Sequence, residues 1–172
     1  MQSAHVTLIT TGGTIDKWYG CGAGIRDMQA GEPFAPGFLP RVLGGGVRIR
    51  YRRLLAKDSL DLTSEDRELI GEACLDPDAY RVVITHGTDT MTETAAFLHG
   101  FVTEPRVIVL TGALQPAAMR NTDAEFNLGL AIAAVLAKPP GIYIAMHGIH
   151  DHSDCRKDPD TGYFMPTDFR TS

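Results

Sequence analysis

Hydroxyl side chains and glycines follow three short apolar segments of this sequence, and these residue types can support nucleophilic catalysis. The first segment ends in Thr10-Thr11-Gly12-Gly13-Thr14, the second in Thr85-His86-Gly87-Thr88-Asp89 and the third in Thr111-Gly112-Ala113. A threonine hydroxyl becomes a nucleophile when a base removes its proton. Glycines let a substrate approach backbone N–H groups, which can stabilise an oxyanion. One such segment is typical of a turn, but three together indicate catalysis by a hydroxyl.

The base that such a hydroxyl needs has two kinds of candidate. Asp89 directly follows Thr88, although at the start of a predicted helix it is equally suited to cap that helix. A lysine can act as a base when burial or a neighbouring cation lowers its pKa. The sequence has four lysines, of which Lys138 closes a predicted helix. The other three lie in or beside candidate site loops: Lys17, Lys57 and Lys157.

Several classes of ligand lack support in the sequence. There is no GxGxxG after the first apolar segment and no GxxxxGK[ST] motif, so a dinucleotide or P-loop site is not predicted. A net charge of −5 argues against electrostatic binding to nucleic acid or to a membrane surface. No apolar run approaches the roughly 18 residues of a membrane span. We therefore expect a small-molecule substrate, no cofactor, and neither a nucleic-acid nor a membrane partner.

The elements that must position these residues alternate between strand-like and helix-like segments. Near-continuous apolar runs predict five strands: His5–Thr10, Val47–Leu55, Arg81–Thr85, Arg106–Thr111 and Gly141–Met146. Helical patterns occupy Pro36–Leu43, a segment capped by Ser64 and ending near Cys74, Asp89–Phe101 and Thr122–Ala137. This alternation predicts an α/β fold, a single-domain open parallel sheet with helices on both faces. Ligands bind beyond the carboxyl ends of such strands, where the threonines lie.

Two segments are predicted to be irregular. The glycine-rich segment Ile15–Ala35 is long for a connection, which favours a lid over the site. The second begins after His147. We expect one domain over residues 1–172, with an α/β core over 1–148 and an irregular segment over 149–172 that carries Lys157. Three widely spaced cysteines indicate free thiols and a cytoplasmic location.

Two motifs resemble the signatures of the bacterial-type L-asparaginase/glutaminase family. Thr11–Ile15 resembles the first signature and His86–Met91 the second, at a spacing of about 75 residues. Further matches are Asp58-Ser59-Leu60, Gly112-Ala113, Pro116, Asp123 and Asn127-Leu128. Gln115 and Ala124 depart from the family, which commonly has arginine and glycine there. Family members are usually about twice this length, with a second α/β domain, so the resemblance concerns an N-terminal domain.

The resemblance implies a flavodoxin-like amidohydrolase domain that converts L-asparagine to L-aspartate and ammonia. By this analogy Thr11 attacks the side-chain amide and forms a β-aspartyl ester. Thr88, Asp89 and Lys157 form a second hydroxyl-acid-base group, and Tyr19 is the tyrosine of the mobile loop. The implied substrate-binding residues are Gly12, Asp58, Ser59, Gly87 and Ala113. Weak action on L-glutamine and a homo-oligomer, a dimer or tetramer, are also implied.

Alternative functions stay open at this point. Metal-ligand residue types cluster near the C-terminus, which raises the possibility of a metal-dependent hydrolase, although no HExxH or paired CxxC accompanies them. The cluster comprises His147, His150, Asp151, His152, Asp154 and Cys155. A solvated polar loop would have the same composition. A further alternative is a non-catalytic effector module that binds an amino acid. An amidotransferase component acting on transfer RNA would need a basic face that this acidic chain lacks.

Overall fold

The architecture comes from a computed structural model, which describes residues 3–19 and 28–168. Its strands are β1 (Ala4–Gly12), β2 (Lys17–Tyr19), β3 (Met28–Ala30), β4 (Val47–Lys57), β5 (Arg81–Thr85), β6 (Val107–Thr111), β7 (Gly141–Ala145), β8 (Ile149–Asp151), β9 (Arg156–Lys157) and β10 (Phe164–Met165). Its helices are α1 (Phe34–Val42), α2 (Ser64–Cys74), α3 (Met91–Phe101) and α4 (Ala124–Ala137).

The main sheet has six strands in the order β4-β1-β5-β6-β7-β8. The first five are parallel, which confirms the predicted parallel sheet, and β8 pairs antiparallel with β7. Counting only the parallel strands in chain order, the arrangement is 2-1-3-4-5, the flavodoxin-like order. In that order the chain passes from β1 to β4 on one side and then returns past β1 to β5 on its other side. The crevice expected to bind ligands therefore lies between the carboxyl ends of β1 and β5.

Helices cover both faces of the sheet, as predicted. Successive strand residues point to opposite faces, so neighbouring residues of β5 enter different apolar cores. Val83 packs in the core that contains residues of α1 and α4, whereas Ile84 packs in the core that contains residues of α2 and α3. Because both faces of the sheet are buried, β5 and β6 are apolar almost throughout. Their apolar residues therefore follow one another without the apolar-polar alternation of a half-exposed strand.

All four predicted helix starts differ from the observed ones by one or two residues, including that of α4, which begins at Ala124 and not at Thr122. The N-cap of α2 is Thr63, not Ser64, because its hydroxyl accepts a hydrogen bond from the Asp66 N–H and the Asp66 carboxylate accepts one from the Thr63 N–H. Helix α3 begins at Met91 rather than Asp89. Asp89 therefore lies in the turn before the helix and is not a helical residue.

The segment Ile15–Ala35 has more regular structure than predicted. A short helical turn covers Thr14–Asp16, and β2 pairs antiparallel with β3. Helix α1 begins at Phe34, whose N–H donates to the buried Asp16 carboxylate at 2.9 Å. A cap supplied from 18 residues upstream is not visible in a local pattern, which explains the misplaced start. Residues 20–27, including Cys21, lie outside the described part of the segment.

The segment after His147 is also more regular than predicted. Strand β8 extends the sheet, β9 pairs with β10, and the side chains of Cys155 and Phe164 are buried in the core on the α2 and α3 side. Strands of two or three residues carry too little pattern to be predicted. Over the residues that the structure describes, no helix is both long and apolar enough to cross a membrane.

Candidate active site

Three chain segments converge at the carboxyl ends of β4, β1 and β5, because these strands are neighbours in the sheet. The Gly13 N–H donates to the Lys57 carbonyl at 3.0 Å. A Cβ atom on Gly13 would lie 2.5 Å from the Gly87 nitrogen, and Gly13 has a φ of +90°. Only glycine meets both requirements. The close approach of these backbones therefore explains why a glycine pair follows Thr11.

Thr11 lies at the end of β1 with its hydroxyl donating to the Thr85 carbonyl of β5 at 2.8 Å. The residue is 1% exposed. Its proton is thus held by a carbonyl, and the oxygen is closed to solvent in this conformation.

Thr88, Asp89 and Lys157 form a contact group at the end of β5. The Lys157 Nζ donates to the Thr88 Oγ1 at 3.0 Å and lies 2.5 Å from an Asp89 carboxylate oxygen. Thr88 is buried, while the lysine side chain is partly exposed. Because Thr88 accepts from the lysine, its own proton is available to another acceptor. The arrangement can move a proton between the hydroxyl and the amine while the carboxylate stabilises the cation.

Asp58 and Ser59 follow β4 and border the same crevice. Lys17 Nζ lies 2.5 Å from the Asp58 carboxylate, and its hydrogen bond holds the pKa of that carboxyl below the ordinary value. Ser59 is 1% exposed, and its hydroxyl has no hydrogen-bond partner within the described structure. A Cβ on Gly87 would lie 2.5 Å from this hydroxyl, and the Thr90 hydroxyl donates to the Ser59 carbonyl. The unpaired Ser59 hydroxyl is thus held against the Gly87 turn.

His86 supports this turn from inside the protein. Burial lowers the pKa of its ring to about 4, so the ring is neutral near pH 7. Nδ1 lies 2.7 Å from the Gly87 carbonyl, which can only accept, so Nδ1 carries the proton. Nε2 then accepts from the Thr94 hydroxyl at 2.9 Å, and the Arg67 Nε donates to that hydroxyl. His86 belongs to the motif His86–Met91 found in the sequence, but no sequence signal indicated Thr94 or Arg67.

The third glycine turn packs behind the second. A Cβ on Gly112 would clash with the His86 carbonyl, and the adjacent Ala113 is fully buried. The Asp123 carboxylate accepts from the N–H groups of Leu114 and Gln115 and so holds the loop after β6.

Nine of the ten predicted site residues thus lie on segments that meet at this sheet edge. The backbone of the tenth, Tyr19, pairs with Met28 in the β2–β3 ribbon, but its side chain lies outside what the structure describes.

The metal-ligand residue types near the C-terminus do not converge. Across residues 3–19 and 28–168, no three His, Cys, Asp or Glu side chains are placed to hold one ion. His147 contacts Asp123 at 3.1 Å, and the His152 ring packs on the His99 ring. Burial raises the pKa of the Cys155 thiol to about 11, which disfavours the thiolate that binds metals. The geometry therefore does not support the metal-dependent hydrolase.

Comparison with known proteins agrees with the motifs and the strand order. Residues 5–161 match the model of the asparaginase N-terminal domain. The chain belongs to the asparaginase family. The fold is similar to the solved thermostable L-asparaginase of Thermococcus kodakarensis, with a TM-score of 0.82 at 28% identity, over 96% of this chain and 52% of that one.

The related sequences in this family carry different names. The curated L-asparaginase of Thermococcus kodakarensis is 39% identical over 58% of this chain and 31% of that protein. A "probable L-asparaginase periplasmic" of Haemophilus influenzae is 30% identical over 83% of this chain and 43% of that protein. A component of the glutamyl-tRNA(Gln) amidotransferase of Methanococcus vannielii is 40% identical over 43% and 17%, respectively. The chain spans less than half the length of each of these curated relatives.

Proposed function

We propose that this protein hydrolyses the side-chain amide of L-asparagine to L-aspartate and ammonia, with weaker action on L-glutamine. The observation that carries the proposal is the contact of Lys157 with both Thr88 and Asp89, 69 and 68 residues away in the chain. In support, this contact joins a hydroxyl, an acid and an amine at the carboxyl end of β5, the strand beside the one that carries Thr11. Membership of the asparaginase family supports the assignment.

In the proposed mechanism the Thr11 oxygen attacks the side-chain amide carbon of asparagine. The hydroxyl proton leaves through the group formed by Thr88 and Lys157 and is returned to the amide nitrogen, which departs as ammonia. The product of this step is a β-aspartyl ester of Thr11. Water then adds to the ester carbonyl, the Thr11 oxygen regains a proton, and aspartate is released.

The tetrahedral oxyanion of both steps requires hydrogen-bond donors. We assign this role to backbone N–H groups near Gly12 and Thr88. In support, the N–H groups of Thr88 and Asp89 donate to no backbone carbonyl within the described part of the chain. Ser59, Gly87 and Ala113 complete the substrate-binding residues. Their dense packing gives the crevice its shape.

Asp58 and Asp89 receive the α-ammonium group of the substrate in this proposal. Tyr19 acts from the ribbon that follows the nucleophile. We further propose that the protein works in the cytoplasm as a homo-oligomer, a dimer or tetramer, and that residues 1–172 form one domain. The α-ammonium contacts, the role of Tyr19 and the homo-oligomer extend the family resemblance.

The test is ammonia release from L-asparagine and L-glutamine by the purified protein. The wild type should release ammonia from asparagine, and Thr11→Ala should abolish release. Lys157→Met should slow it by about 10²- to 10⁴-fold, the usual contribution of acid-base catalysis. Lys138→Met is the matched control, because Lys138 lies at the opposite end of the sheet over the Tyr143 ring. It should match the wild type.

Three outcomes would contradict parts of this proposal. Unchanged release by Thr11→Ala would refute the nucleophile. Loss of activity on treatment with a chelator would restore the metal-dependent alternative. Binding of L-aspartate without turnover of either amide would instead support the non-catalytic effector module.

A further inference from the structure

We infer that the cavity between the β2–β3 ribbon and α1 is a second binding site, which takes an organic ammonium with an aromatic or aliphatic body. The cavity has a volume of about 660 Å³, within the range of small-molecule sites. The described residues that line it do not include Thr11, Thr88, Asp89 or Lys157. It is therefore separate from the candidate active site.

Aromatic and aliphatic side chains form part of the cavity wall. Trp18 of β2 is 45% exposed, and Phe34 begins α1. The Trp18 ring packs against Gly31, where a Cβ atom would lie 2.9 Å from the ring. Ile15 and Ala117 are joined by a backbone hydrogen bond of 3.1 Å and line another side. Because the faces of tryptophan and phenylalanine rings attract cations, these walls suit a ligand with an apolar body and a cationic group.

Asp16 supplies the negative charge that such a ligand needs. The residue is 6% exposed, and one of its carboxylate oxygens accepts from the Phe34 N–H at 2.9 Å. Among the described residues, its other oxygen has no hydrogen-bond partner and no cation forms an ion pair with it. Burial raises the pKa of this carboxyl to about 6, so the group is mostly ionised at pH 7. Buried charges are ordinarily paired, and an ammonium in the cavity would supply the missing partner.

Two cations also line the cavity, but each already contacts another carboxylate. Lys17 Nζ lies 2.5 Å from Asp58, and the Arg53 guanidinium donates to both carboxylate oxygens of Glu32 at 2.9 and 2.8 Å. Arg53 lowers the pKa of Asp16, but by less than burial raises it. Asp16 is therefore the charge in the described lining that lacks a direct partner of opposite sign, which favours a cationic ligand over an anionic one.

The experiment uses the fluorescence of Trp18, because the sequence contains no other tryptophan and this one lines the cavity. The protein is titrated with phenethylamine, phenethyl alcohol and hydrocinnamate at about pH 8, where Asp16 is ionised and the amine is protonated. These three probes share an aromatic body and differ in charge. Phenethylamine should give a saturable change and bind more tightly than the other two. This comparison on the wild type depends on no variant.

The variant that tests the charge is Asp16→Asn, which keeps the size of the side chain. It should weaken phenethylamine binding by about ten- to hundredfold, the value of one charged hydrogen bond, and leave phenethyl alcohol binding unchanged. Asp78→Asn is the matched control, because Asp78 precedes β5 at the opposite end of the sheet and its side chain is 85% exposed. It should bind phenethylamine as the wild type does.

Three results would overturn the inference, and none of them depends on ammonia release. The first is the lack of a saturable change with phenethylamine. The second is tighter binding of hydrocinnamate, which would make the cavity a site for anions. The third is equal binding of phenethylamine by the wild type and Asp16→Asn. If Asp89→Asn weakens binding in that case, the ammonium lies in the candidate active site instead.

Discussion

Replacing Asp16 with asparagine should make the protein more stable at neutral pH and leave it little changed in acid. Asp16 is 6% exposed, and burial raises the pKa of its carboxyl from the ordinary 3.8 to about 6, against the opposing effects of the Phe34 N–H and Arg53. Between these two pH values the folded chain keeps a proton that the unfolded chain has lost. The carboxyl therefore contributes its full stabilisation below pH 3.8 and loses it as the pH rises through about 6.

The magnitude follows from the size of this shift. Each unit of pKa difference corresponds to about 1.4 kcal/mol, so the whole effect is about 3 kcal/mol. Roughly 2 kcal/mol of this should develop between about pH 4.5 and 7.5. Asparagine keeps an oxygen that can accept from the Phe34 N–H, so the cap of α1 is retained. The variant therefore isolates the charge.

The assay is urea denaturation of the wild type and Asp16→Asn at several pH values from about 4.5 to 8. The free energy of unfolding of the variant should rise relative to the wild type by the amount given above. Asp66→Asn is the control of opposite sign, because the hydrogen bond from Lys57 lowers the pKa of Asp66. Its cost should stay constant over this pH range, because the contribution of a carboxyl with a lowered pKa shrinks only as the pH falls below the ordinary 3.8. A constant difference between wild type and Asp16→Asn across the range would refute the reasoning.

Three further predictions concern the elements around the site. Gly13→Ala should destabilise the fold and abolish turnover, because its Cβ would meet the Gly87 backbone. Gly44→Ala is the control and should do neither, because the space around Gly44 is open. Thermal melts and ammonia release measure the two effects. Thr63→Ala should lower the free energy of urea unfolding by about 1 kcal/mol through loss of the cap, and an unchanged value would contradict the capping box. Thr94→Val leaves the buried His86 Nε2 without its hydrogen-bond partner and should lower the free energy of unfolding by about 1–3 kcal/mol in the same assay. An unchanged value would contradict this hydrogen bond.

Local patterns in the sequence determined the secondary structure well where the elements are long. Helix α4 is apolar over most of its 14 residues, and the shorter strand β5 has the continuous apolar run Val82–Ile84, a composition that burial on a covered sheet explains. The starts of helices α2 and α1 could not be predicted correctly from local patterns. One depends on a reciprocal bond between Thr63 and Asp66, and the other on a carboxylate 18 residues upstream.

The candidate site likewise has parts that could be predicted from the sequence and parts that could not. The glycine turns after Thr11 and His86 could be predicted to meet, because the ends of parallel strands share one edge of the sheet. The segment after His147 could not be placed, since β8 and β9 are too short to show a period. Its position decides where Lys157 lies.

The sequence alone thus determined the α/β class, the alternation of strands and helices, and the motifs of the asparaginase family. Apolar periodicity and glycine turns are local properties, so they can be recognised in the amino-acid sequence. Only the tertiary structure decided that Lys157 meets Thr88, that Lys17 meets Asp58 and that the Ser59 hydroxyl is left unpaired among the described residues. A lysine side chain is long and flexible, and its partner is selected by strand order and by the path of distant loops. That selection depends on the packing of the whole chain rather than on any segment of it.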